Sequence, residues 1–237
     1  MNQLLQGKTI VFDGDSICQA SSEGTHPNCG WAYRIGVKNH MNWYNFGVGG
    51  GTLTAELYSS VTGNARHWIS RSIDTIHDNF SSLDYLILEG GTNDADLLAE
   101  SHEKFGTMGP DDFNGNYDDQ TFCGAVESLF FKALSYYPSA KIGFIIAPKM
   151  GAGDLAIFKN RRSYFMKIIE ICKKWGIPYI DLWDGCPLNP RLQVYYDPKL
   201  SKEENVAAKK AYVDGQHLTG IGYDVVSSKI EAWIRTL

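Results

Sequence analysis

The chain has 237 residues, 43% of them hydrophobic and 21% charged, and a formal net charge of −5 at pH 7. Such a chain buries a full core and, with an α/β pattern, is expected to form one domain over residues 1–237. The acidic balance, with no Lys/Arg-rich stretch to offset it, argues against a nucleic-acid partner, and no apolar run is long enough to span a bilayer.

The first apolar run, residues 9–12, reads as a strand. It begins so early that no leader peptide fits before it, unless one has already been removed. The cysteines (Cys18, Cys29, Cys123, Cys172, Cys186) are odd in number and contain no Cys-x-x-Cys pair. Reduced thiols and a cytoplasmic location are therefore expected.

Downstream, helix-length amphipathic segments at 31–41, 65–80, 121–136 and 157–175 alternate with apolar runs at 43–46, 85–88, 142–146 and 179–182. A last helix is predicted from 220 to 233. Gly176 and Pro178 make a good stop for the helix before the fifth strand. Leu86-Ile87-Leu88 and Phe144-Ile145-Ile146 are continuous apolar runs, as strands covered on both faces require. This alternation predicts a three-layer α/β/α sandwich around a five-stranded parallel sheet. Two stretches, 100–120 and 186–206, lack periodicity. Each is either a rim of the functional site or a surface insertion. The first directly follows Asn93 and is expected to border the cleft.

Four segments carry candidate chemistry: Asp13-Gly14-Asp15-Ser16, the glycine run 45–52, Gly91-Thr92-Asn93-Asp94, and Asp214-Gly215-Gln216-His217. Ser16, Gly50 and Asn93 follow the first, second and third strands, so all three fall on the carboxyl edge of a parallel sheet, where such folds bind ligands. Ser16 is either a nucleophile at a helix start, with its own N–H facing a developing oxyanion, or only a capping residue. A glycine in the second segment lets backbone approach a substrate oxygen, and Asn93 offers a side-chain amide; the alternative for residues 90–94 is a plain turn. Asp214, three residues before His217, can accept from Nδ1–H and leave Nε2 free as a base toward Ser16.

Other signals are set aside. His26, His40, His67, His77 and His102 form no pair with metal-ligand spacing. The glycine run lacks both the Walker lysine and Gly-x-Gly-x-x-Gly spacing. Asp112, Asn114, Asn116 and Asp118 alternate as in a calcium loop, but the glycine is at the fourth position and Cys123 replaces the bidentate glutamate.

Taken together, the four segments resemble the SGNH (GDSL-type) hydrolases over nearly the whole chain. Gly14-Asp15-Ser16 resembles the block that holds the nucleophile, and Gly50 sits in an Asn-x-Gly-x-x-Gly-x-Thr context. Gly91-Thr92-Asn93-Asp94 and Asp214-x-x-His217 match the remaining blocks. Ile17 stands where the consensus has leucine, a position that contributes no catalytic group. The resemblance implies a flavodoxin-like sandwich and ester hydrolysis, often of acetyl groups on sugars or acyl groups on lipids.

The expected mechanism uses Ser16 as nucleophile, His217 as base and Asp214 as its orienter. Ser16 N–H, Gly50 N–H and the Asn93 amide form the oxyanion hole, and no cofactor or metal is required. The expected substrate is a small-molecule ester, with O-acetylated saccharides preferred for the polar rims. The alternatives are a lysophospholipase or thioesterase, and, outside enzymes, a non-catalytic carbohydrate-binding protein on the same fold.

Overall fold

The computed structural model describes residues 4–20, 29–59, 61–98, 102–151 and 155–237. Among these, strands β1 (Thr9–Asp13), β2 (Asn42–Asn45), β3 (Tyr85–Glu89), β4 (Lys141–Ile146) and β5 (Tyr179–Asp181) form a sheet in the order β2-β1-β3-β4-β5, every pair parallel. All five residues of β3 are buried, as are those of β4 after Lys141. The outer strands β2 and β5 are partly exposed.

The helices are α1 (Ser16–Gln19), α2 (Trp31–Lys38), α3 (Ile69–Asn79), α4 (Thr92–Leu97), α5 (His102–Phe105), α6 (Phe122–Tyr136), α7 (Leu155–Trp175), α8 (Leu182–Gly185), α9 (Lys202–Ala207) and α10 (Gly220–Ile234). Neighbouring residues of β4 show how they sandwich the sheet. The Phe144 ring packs on Phe130 of α6, with centroids 5.9 Å apart. Gly143 points the other way, and a Cβ there would lie 2.5 Å from the Trp233 indole of α10. Successive strand residues face opposite sides, so α6 and α10 cover opposite faces. Helix α2 packs beside α10, while α3, α6 and α7 pack in a row.

This strand order reverses direction between β1 and β3, which creates a crevice at their carboxyl ends. Ser16 begins α1 just beyond β1, and Asn93 lies in α4 just beyond β3. Local chemistry stops the strands here. Asp15 caps α1 by accepting from the Ile17 N–H at 2.8 Å. Gly91, at φ 102°, makes the turn into α4.

Several predicted boundaries move. Residues 65–68 are not helical, because Ala65 bridges Tyr58 across a small hairpin and α3 starts only after Trp68. Helix α2 ends at Lys38, two residues before His40 turns to φ 52°. Asp181 caps α8, so Leu182 leaves β5.

The expectation that 100–120 borders the cleft is corrected for most of its described part. Glu127 of α6, fully buried, accepts from the Gly109 N–H and pairs with Lys174 of α7 at 2.7 Å. The rings of Phe113 and Tyr117 pack against Trp175 of α7 with centroids 4.8 and 5.5 Å apart. This segment lies along α6 and the end of α7 because its aromatic residues bury there. Its last residues alone approach the glycine loop region, where Ala55 N–H donates to Asp119 O at 2.7 Å. Residues 100 and 101, like His26, lie outside the described residues.

All five cysteines are buried and unbridged. No helix among the described residues is long and apolar enough to cross a membrane.

Candidate active site

The structure brings the sequence-predicted site residues together. Ser16 Oγ lies 3.0 Å from His217 Nε2. On the other side of the ring, Nδ1 lies 2.9 Å from Asp214 Oδ2 and 3.2 Å from Oδ1. With Nδ1–H donated to the carboxylate, Nε2 is left as the acceptor for the serine hydroxyl proton, which is the arrangement a base-activated nucleophile needs. These two residues are 201 positions apart.

The Asp214–His217 turn is tightly held. Asp214 Oδ1 accepts from the backbone N–H groups of Gln216 (3.1 Å) and His217 (2.9 Å). Burial pushes the Asp214 carboxyl up, but the His217 ring and those backbone donors outweigh it and hold the group well below the usual carboxylate range. Asp214 is thus an anion across neutral pH. Lys202 of α9 also reaches it, at 3.4 Å, from an exposed position. That contact places part of 186–206, and not the body of 100–120, beside the site.

Next to Ser16 runs the glycine loop. A Cβ on Gly49 would lie 4.0 Å from Ser16 Cβ, and one on Gly51 would lie 3.5 Å from Asp15 Cα. The Gly49 N–H donates to Gln19 Oε1 at 2.9 Å, pinning the loop to α1. Gly50 has φ 76°, which a side chain would strain. Neither the Ser16 N–H nor the Gly50 N–H has an acceptor among the described residues. Asn93 Nδ2 donates one hydrogen to Gly51 O at 2.8 Å, which leaves the second for a ligand. Three donor hydrogens, two from backbone and one from a side chain, are thus left without an acceptor among the described residues at this edge of the sheet.

Several residues that build this site carried no assigned role in the sequence. Asp94, fully buried, accepts from the N–H groups of Leu53 (2.9 Å) and Thr54 (2.8 Å). It ties α4 to the glycine loop just beyond Gly51. Burial pushes its pKa up to about 6, against the pull of those backbone donors. Glu89, at the end of β3, accepts from the Asp15 N–H at 3.1 Å. Burial and the neighbouring Asp15 carboxyl push Glu89 well above the usual range. Its Oε2 would lie 2.6 Å from a Cβ on Gly14, a steric reason for glycine two residues before the serine.

Arg161 of α7, 4% exposed, joins α4, which carries Asn93, to the turn that carries His217. It donates to both Asp96 carboxylate oxygens of α4, at 2.9 and 2.6 Å, and to Gln216 Oε1 at 2.7 Å. One buried guanidinium therefore fixes the Asn93 helix relative to the His217 turn. Beside it, a cavity of about 420 Å³ is lined by Ala95, Asp96, Ala156, Ile157 and Asn160.

Several of the residues set aside in the sequence have local explanations. His77 stacks on Tyr136, with centroids 4.2 Å apart. His67 Nε2 lies 3.6 Å from Asp13 Oδ1, and His40 holds a left-handed turn. Asp112, Asn114 and Asp118 accept from N–H groups of their own loop. Among the described residues, no three His, Cys, Asp or Glu side chains gather into a group that could hold a metal ion.

The model of the GDSL-like lipase/acylhydrolase family matches residues 12–225, from the end of β1 into α10. The chain belongs to the GDSL-like lipase/acylhydrolase family. Solved structures resemble this family member over nearly their full length. A protein from Lactobacillus plantarum superposes with a TM-score of 0.71 at 18% identity, covering 98% of both chains. A carbohydrate acetylesterase family member from Sinorhizobium meliloti gives 0.59 at 14%, covering 97% of this chain and 98% of that one. A member of the lipolytic protein G-D-S-L family from Veillonella parvula gives 0.60 at 13%, covering 97% and 99%. At such identities the likeness concerns the fold. No curated protein matches the chain by sequence.

Proposed function

We propose that this GDSL-family chain, as one domain over 1–237, is a serine ester hydrolase for small acyl esters. The observation that carries the reading is the continuous Ser16 Oγ–His217 Nε2 and His217 Nδ1–Asp214 relay, at 3.0 and 2.9 Å. Ser16 attacks the ester carbonyl as His217 takes its proton. Asp214, held as an anion, orients the ring and stabilises the imidazolium. The tetrahedral oxyanion is received by the N–H groups of Ser16 and Gly50 and by the Asn93 amide. His217 then protonates the leaving alcohol, and the same ring activates water to release the acyl group.

The cavity beside α4 is the proposed seat of one substituent of the ester, because Asp96 in its wall is one turn beyond Asn93. Its volume of about 420 Å³ suits a small group. Acetyl esters of saccharides are the preferred substrates, a reading that the carbohydrate acetylesterase relative supports by likeness of fold. Leu155 and Ile157, 49% and 41% exposed at the start of α7, favour a longer acyl chain as the second reading. Rates on p-nitrophenyl esters of rising chain length and on acetylated sugars, for wild type and Ser16→Ala, test both. Activity peaking at acetyl and lost in Ser16→Ala is expected, whereas a peak at long chains selects the second reading. A Ser16→Ala protein as active as wild type contradicts the proposal.

A further inference from the structure

Arg66 stands at the base of the hairpin that follows the glycine loop, where Arg66 N–H donates to Leu57 O and Tyr58 bridges Ala65. Its guanidinium turns back onto that loop. Nη1 donates to Gly50 O at 3.0 Å, and would lie only 2.8 Å from a Cβ on Gly50. The cation is therefore held against the residue whose N–H is one of the proposed oxyanion donors.

The charge of Arg66 is not balanced locally. No carboxylate lies within ion-pair distance of Arg66 among the described residues. Glu56, ten residues before it at the other side of the hairpin, and Asp119 are both taken by Arg71, at 2.8 Å each. Arg34, Arg71, Arg161, Arg162 and Arg235 each pair with an acid, so Arg66 departs from how this protein treats its other anchored arginines. Its Nε is buried with no acceptor, which makes the missing counter-charge costlier than on an open surface. Nη2 has no acceptor either, yet it is not among the closed-off atoms and so remains open toward solvent. A partly buried guanidinium with one amino group fixed and the other open is a preformed anion receptor, since its donors lie in one plane that matches carboxylate and phosphate oxygens.

We propose that Arg66 makes this an esterase for anionic esters: it binds a carboxylate or phosphate group carried by the substrate near the scissile bond. The inference rests on the ester-hydrolase reading and narrows it. In a chain of net charge −5, a lone uncompensated cation beside the oxyanion loop also concentrates the attraction for such substrates at the reacting centre.

The test compares kcat/KM for matched pairs of esters. One pair, para-acetoxybenzoate and para-acetoxybenzamide, places the charge on the leaving group; the other, mono-p-nitrophenyl succinate and p-nitrophenyl butyrate, places it on the acyl group. The wild type is expected to favour the anionic member in one pair, which identifies the side Arg66 serves. Arg66→Gln should lower that anionic-to-neutral ratio by about tenfold or more, and Arg66→Lys by less, because the charge remains while the fork is lost. Added salt should also lower the wild-type ratio, a readout that does not depend on any variant folding. Ratios that stay flat with salt and across the variants overturn the inference, as does an equal fall of both members in Arg66→Gln, the mark of a residue that only holds Gly50 in place. Hydrolysis that depends on Ser16 but shows flat ratios brings down this inference alone. Absence of Ser16-dependent hydrolysis of every probe brings down the ester reading and the inference with it.

Discussion

Replacing Asp94 by Asn should change stability in a way that depends on pH. The native pKa is about 6, raised by burial from an ordinary 3.8. A raised native pKa means that the folded protein holds the proton more tightly than the unfolded chain. Stability from this group is then complete below the unfolded value and is lost as pH rises through the native one. The gap corresponds to about 3 kcal/mol, of which about 2 kcal/mol falls between about pH 4.5 and about pH 7.5. An asparagine cannot titrate. It keeps one acceptor for the Leu53 and Thr54 N–H groups but turns an amide nitrogen toward the other, at a cost of about 1–3 kcal/mol. Asp94→Asn should therefore be less stable than wild type by that amount at about pH 4.5. The deficit should shrink by about 2 kcal/mol at about pH 7.5, and can reverse. Urea unfolding of both proteins at the two pH values measures it, and comparing the pair cancels the other titrating groups. A deficit that is constant, or that widens with pH, refutes the reasoning.

Asn93→Ala should lower kcat by about 10²–10³ with little change in KM, since its free amide hydrogen is assigned to the oxyanion; a rise in KM at constant kcat on p-nitrophenyl acetate assigns it to ground-state binding instead. Glu89→Gln should fold and turn over close to wild type, because the amide oxygen can still accept from the Asp15 N–H. Glu89→Ala should lose about 1–3 kcal/mol in urea unfolding by leaving the buried Asp15 N–H without its acceptor, and equal losses in the two variants would contradict that role of the Glu89 oxygen.

Much of this fold and site was legible in the sequence. The buried strands β3 and β4 are continuous apolar runs, and a parallel sheet sends the residues after each strand to one edge. Ser16, Gly50 and Asn93 could be placed there without knowing any contact. The Asp214–His217 pair was legible because its partners are three residues apart on one turn. What escaped was long-range support: Glu89 meets Asp15 from 74 positions away, and Arg161 meets Asp96 from 65. No local spacing encodes such pairings. Short helices such as α1 and α4, of four and six residues, complete too few turns for periodicity to reveal them. The segment 100–120 misled for another reason. Its Gly, Asp and Asn content says that it is irregular but not where it packs, and the anchors were Phe113 and Tyr117.

Ser16 is the group on which every step of the proposed hydrolysis depends. Mass spectrometry of the protein treated with a fluorophosphonate, which phosphonylates base-activated serines, tests it most directly. One adduct is predicted, on the peptide that carries Ser16, absent in Ser16→Ala and formed much more slowly in His217→Ala. An adduct on another residue, or labelling of Ser16 at an undiminished rate without the His217 ring, would contradict it.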